Sequence, residues 1–84
     1  MDISERTKAV QTREDLAAFV LALRDDLTTG GSRWENATLD SYLEALASWC
    51  ADMPGWFENA GRTMPGQPDW NLVAQMLLAA SIYE

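Results

Sequence analysis

The chain has 84 residues, 48% of them apolar and 23% charged, with 13 acidic against six basic side chains, no histidine and a formal net charge of −7. That length makes one globular domain, the apolar share excludes disorder, and the negative surface repels phosphate backbones and anionic lipid, so neither nucleic acid nor a membrane is an expected partner. Without histidine, and with Cys50 as the single cysteine, the common general bases, nucleophile pairs and zinc or copper ligand sets are missing; no cofactor and no metal is expected, and the chain reads as a non-enzyme.

Residues 1–11 mix Asp2, Glu5, Arg6 and Lys8 with Ile3 and Val10 without a sustained period, which predicts a loosely ordered lead-in with mobile first residues. Thr12, followed by Arg13, Glu14 and Asp15, supplies a capping hydroxyl and first-turn acids, so a first helix is expected over 13–28. Leu16, Phe19, Val20, Leu23 and Leu27 form its apolar stripe at spacings of three and four. Thr28, Thr29, Gly30 and Gly31 are expected to end it. The connector 32–37 carries Trp34, Glu35 and Asn36, and Trp34 is expected to lie back across the core.

Thr38 caps a second helix predicted over 38–53, with Leu39, Tyr42, Leu43, Leu46, Trp49, Cys50 and Met53 as its buried stripe. Asp40, Glu44, Ser48 and Asp52 recur every four residues on its outer side, a row of like charges. Pro54 and Gly55 are expected to stop this helix, leaving Trp56 and Phe57 one short extra turn in the 54–67 connector. Pro68 and Asp69 then open the helix that should organise the fold, predicted over 70–83. Only Asn71 and Gln75 give it a polar sector, flanked by Leu78 and Ile82, so most of its circumference needs cover. Its uncharged run from Trp70 to Tyr83 is shorter than the roughly 17 to 25 residues of a membrane span. With no charged-then-apolar leader ahead of the first helix, a reducing cytoplasm is the expected setting.

No stretch alternates long enough to be a strand. The expected fold is all-α, a small compact bundle of three main helices in a single domain, 1–84, with Leu23, Leu43, Leu46, Val73, Leu77 and Ala80 deepest. The apolar last helix leaves a homodimer and a monomer as equal alternatives.

The four tryptophans admit two readings: Trp34, Trp56 and Trp70 seal the ends of a small core, or they line a sticky patch or pocket. Sealing is preferred, with Trp56 and Phe57 the rings expected to be partly exposed, and Cys50 is expected to be a packed, inert thiol. The expected function is a non-enzymatic acidic protein-binding module, an immunity-type inhibitor or adaptor of a basic protein, with Asp40, Glu44 and Asp52 steering the encounter and Trp56 and Phe57 supplying contact area. The alternative is a small-molecule-binding domain or minor enzyme with a pocket of Trp34, Trp56 and Trp70.

Phe19, Leu23 and Leu27, then Trp34-Glu35-Asn36, Leu39 to Trp49, Asn59, Pro68, Trp70, Leu77, Ala79, Ala80, Tyr83 and Glu84 together resemble a family of small bacterial proteins of unknown function over residues 16–84. The resemblance implies a bacterial origin and an all-helical fold, and no activity. Of its polar residues, those in connectors are expected to satisfy free backbone groups, an architectural role.

Overall fold

The computed structural model of the protein describes residues 3–30 and 34–83. Four helices, α1 (Ile3–Arg6), α2 (Arg13–Gly30), α3 (Leu39–Asn59) and α4 (Trp70–Ala80), follow one another, and a 3₁₀ turn (Thr7–Ala9) continues α1. Among the described residues there is no strand, and no helix is long and apolar enough to cross a membrane.

Each long helix starts where a side chain satisfies its free N–H groups. Asp15 N–H donates to Thr12 Oγ1 (3.0 Å), Ser41 N–H to Thr38 Oγ1 (3.2 Å) and Leu72 N–H to Asp69 Oδ1 (2.7 Å). At the far end of α2, Thr28 and Thr29 do not terminate the helix. Their hydroxyls donate back to the carbonyls of Arg24 and Asp25, and the helix runs on to Gly30; Gly31, also expected to end it, lies outside the described residues.

Pro54 does not stop α3. The helix passes through it to Asn59, so the expected extra turn at Trp56 and Phe57 is the last turn of α3 itself. A proline inside a helix costs about 3 kcal/mol, partly through the hydrogen bond its missing N–H cannot make. Two features offset this: the carbonyl of Cys50, four residues earlier, belongs to an exposed residue that water can reach, and continuing the helix buries Phe57 to 2% exposure. The stop comes seven residues later, at Gly61 (φ 69°), where Arg62 N–H reaches Phe57 O (2.9 Å) and Gly61 N–H reaches Glu58 O (3.1 Å). Those two bonds are a Schellman motif, which needs a left-handed residue at its centre.

Helix α4 is the centre of the packing. Both α2 and α3 lie along it and hardly touch each other. Its apolar circumference is divided between two cores: Ala74, Leu77 and Leu78 join Val10, Phe19 and Leu23, while Leu72, Met76 and Ala79 join Trp49 and Phe57. Ala74 and Ala80 are wholly buried, small enough to let neighbouring backbone come close.

The expected deep residues hold at Leu23 and Ala80 and fail elsewhere. Leu46, Val73 and Leu77 are half-buried, and Leu43 is 53% exposed. The seven-residue stripe read on α3 is two sectors wide. At about 100° per residue Tyr42, Ala45, Trp49 and Met53 face α4, which leaves Leu39, Leu43 and Cys50 on the adjoining sector in solvent. Cys50 is therefore exposed rather than packed. The segment expected to be a loose lead-in is docked from Ile3 onward: Val10 is buried against Phe19, and Asn71 Nδ2–H₂ donates to the carbonyls of Thr7 (2.5 Å) and Val10 (3.3 Å). Its Met1 and Asp2 lie outside the described residues.

Phe19→Ala is expected to cost about 3–5 kcal/mol and Leu43→Ala to stay within about 0.5 kcal/mol, read as shifts in a urea unfolding curve. At Gly55, in the interior of α3, an added Cβ meets nothing within 4 Å. Gly55→Ala should therefore raise stability by about 0.5–1 kcal/mol, and a loss there would show that the last turns of α3 are not helical in solution.

Candidate functional site

The connector after α2 places two side chains that hold three helices in register. Trp34 Nε1–H donates to Asp26 Oδ2 on α2 (2.8 Å), and its ring stacks on Tyr42 of α3 with centroids 5.9 Å apart and 24° between planes. The Tyr42 hydroxyl in turn donates to Leu77 O on α4 (2.6 Å). Two residues on, Asn36 closes the end of α4. Its Nδ2–H₂ donates to Ala80 O (3.0 Å) and Tyr83 O (2.6 Å), and its backbone N–H donates to Ser81 O (3.0 Å). These carbonyls are among those a helix end leaves without intrahelical partners. Of the connector polar residues, Asn36 thus has the architectural role expected of it; Glu35 is exposed, and Asn59 is the exposed last residue of α3 rather than part of a connector.

Between α2 and α3, which α4 holds apart, runs a groove of about 270 Å³. Val20, Leu23 and Leu27 form its α2 wall, and Leu39 and Tyr42 its α3 wall, with Trp34 at the end. Val20 and Leu39 remain 42% and 72% exposed, and Leu43, 53% exposed, follows Leu39 one turn along α3, beyond the residues that line the groove. This is a contiguous apolar surface on a strongly acidic chain. Asp40 and Glu44 lie about 60° and 100° round α3 from Leu43, so the acidic row borders the apolar strip.

The expected partner-binding residues do not form one surface. Asp40, Glu44 and Asp52 are exposed along α3 as predicted for a row four residues apart. Asp52, however, accepts a hydrogen bond from the Tyr83 hydroxyl and lines, with Trp56, a separate cavity of about 520 Å³ at the far end of α3. Trp56 is 39% exposed, but Phe57 is buried and offers a partner no area. The expectation that Trp56 and Phe57 are partly exposed thus holds at Trp56 and fails at Phe57, because consecutive residues of a continuous α3 point about 100° apart and the core takes Phe57; Trp70, at 43%, is also exposed. Nor do Trp34, Trp56 and Trp70 share a pocket: Trp34 ends the α2/α3 groove and Trp56 lies at the opposite end of α3. What sequence reasoning missed is the outward apolar strip of Leu39, Leu43 and Cys50. Its signal was present, since seven apolar residues in four turns are more than one helix face can bury.

Packing under Trp34 leaves Tyr42 half-buried, and that burial pushes its phenol from 10.0 up to about 12. The hydroxyl must stay protonated to donate to Leu77 O. A raised folded-state pKa means that the stabilisation is complete below pH 10 and disappears as pH rises towards about 12. Stability of the native protein is thus expected to fall across that window more steeply than that of Tyr42→Phe, and a spectrophotometric tyrosine titration should lose its late step in the variant. At neutral pH Tyr42→Phe should cost about 1 kcal/mol for the lost hydrogen bond.

Residues 12–84 match a family described as a family of unknown function (DUF7660). No curated protein and no solved structure matches the chain. The matched span begins at the Thr12 cap and includes the α2/α3 groove and both residues of the connector that tie the helices together. The chain belongs to DUF7660, a family of unknown function.

Proposed function

We propose that this protein is a non-enzymatic protein-binding module, and that its α2/α3 groove receives a basic amphipathic helix of a partner. The observation that carries the reading is the exposed Leu39 facing Val20 across the groove, with the exposed Leu43 one turn further along α3 and Asp40 and Glu44 alongside. Large apolar side chains cost stability when left in water, and contiguous ones mark interaction surfaces. A helix laid in such a groove would bury its own apolar stripe there, while lysines or arginines on its flank meet the acidic row. Charge complementarity of this kind chiefly raises the association rate, whereas the leucines set the residence time. Like charges oppose a second copy in the same place, since its acidic row would meet this one. An inhibitor of a basic toxin is one concrete form of the activity, and an adaptor in a bacterial cytoplasm is another.

A synthetic Leu/Lys amphipathic helix is the direct probe. Calorimetry should show saturable binding that falls at least about tenfold in Leu39→Ser/Leu43→Ser, a variant that keeps every charge. Asp40→Lys/Glu44→Lys should slow association and flatten its dependence on salt. Binding untouched by the leucine substitutions would reduce the effect to unspecific attraction and reject the groove. A dimer in sedimentation that dissociates in the same double variant would instead make a second copy the occupant.

A further inference from the structure

The two sides of the α2/α3 groove carry opposite charge. Helix α2 has two basic and four acidic residues, and a turn of about 100° per residue sorts them by side. Measured from Val20, which lines the groove, Arg13 and Arg24 lie about 20° and about 40° away, whereas Glu14, Asp15, Asp25 and Asp26 all lie about 120–140° away. The bases therefore share the groove side of α2 and the acids do not. Across the groove the sign is reversed: α3 contains no basic residue, and the exposed Asp40 and Glu44 border its apolar strip.

Arg24 is itself one of the residues that line the groove, and it is exposed. Arg13 pairs with its neighbour Glu14 at 2.8 Å, but no carboxylate lies within ion-pair distance of Arg24 among the described residues. The Thr28 hydroxyl bonds the backbone carbonyl of Arg24 and leaves its side chain alone. An arginine so placed lays its methylenes along apolar surface and keeps its guanidinium in water. Solubility asks only for charge at the surface, not for its separation by sign across an apolar trough.

We infer that the partner helix is charge-split, with lysine or arginine on the flank that meets α3 and aspartate or glutamate on the flank that meets Arg24. The inference rests on the groove being the docking site and adds a second flank of opposite sign. A helix basic on both flanks would set a cation against Arg24, so the groove rejects it by repulsion as well as selecting the split helix by attraction. A carboxylate is also the group that suits a guanidinium best, two oxygens meeting two parallel N–H donors.

The test uses two synthetic helices of identical composition, each with a leucine stripe. One carries its lysines on one flank and its glutamates on the other; in the second the same residues are shared between both flanks. Their net charge is equal, so general attraction to an acidic protein does not distinguish them. The mixed helix also gains Glu–Lys pairs of its own, which favours it in isolation. Calorimetry with the full chain at physiological salt should show the split helix binding at least about threefold more tightly, a modest factor because exposed ion pairs are individually weak. Arg24→Glu should abolish that preference and Arg24→Gln should reduce it, with circular dichroism showing that both variants keep their helix content. Equal binding of the two helices, or a preference that survives in Arg24→Glu, overturns the charge-split inference and leaves the groove as a docking site. Saturable binding by neither of them, nor by the Leu/Lys helix, rejects the groove and this inference with it. A free chain that sediments as a dimer and dissociates in Arg24→Glu makes a second copy the occupant and overturns it as well.

Discussion

Helix α4 is a short apolar rod that no single neighbour can cover, and the fold follows from that constraint. Its eleven residues carry no charge, so leaving any broad side of it in water would forfeit the burial energy that a domain this small depends on. Two separate cores share it, and the helices that supply them, α2 and α3, are held to α4 instead of to each other. The 3₁₀ turn covers a further sector through Asn71. A three-helix bundle in which every pair packs would close the space between α2 and α3. Here the space stays open, and the apolar residues along it remain accessible.

Polar groups, not apolar ones, set how the three long helices meet. Hydrophobic contact is indifferent to small rotations, whereas a carbonyl with one available donor is not. Tyr42 on Leu77 O and Asn36 on the carbonyls after α4 fix both the height and the rotation of α4 against α3. Trp34 extends the same chain of contacts to Asp26 on α2. The connector is therefore a clamp, and its tryptophan and asparagine are needed for geometry rather than for chemistry.

Where helices begin was legible in the sequence, because capping is a local rule: Thr12, Thr38 and Asp69 each act on an N–H three residues away. Where α3 ends was not, because the penalty at Pro54 is local while the burial of Phe57 that outweighs it is tertiary. The apolar period gave a hint, since Trp49, Met53 and Phe57 continue at spacings of four through the proline. Depth was legible at Leu23 and Ala80 but not at Leu43, since an apolar stripe shows which residues share a side without showing how much of that side a partner covers. Of the candidate surfaces, the acidic row was visible as a repeat of four. The α2/α3 groove was not, because whether two helices pack on each other or are held apart by a third is decided by tertiary packing.

The exposure of Cys50 has a practical corollary. It is the single cysteine of the chain, it stands in the outward apolar sector of α3 with Leu39 and Leu43, and it lies on the opposite face of that helix from Ser48 and Asp52. A thiol-specific fluorophore or nitroxide would attach there alone, without prior mutagenesis. The wild-type polypeptide thus comes with its own attachment point for a reporter on the face that meets solvent, next in the chain to the buried Trp49, whose indole emission such a reporter could quench.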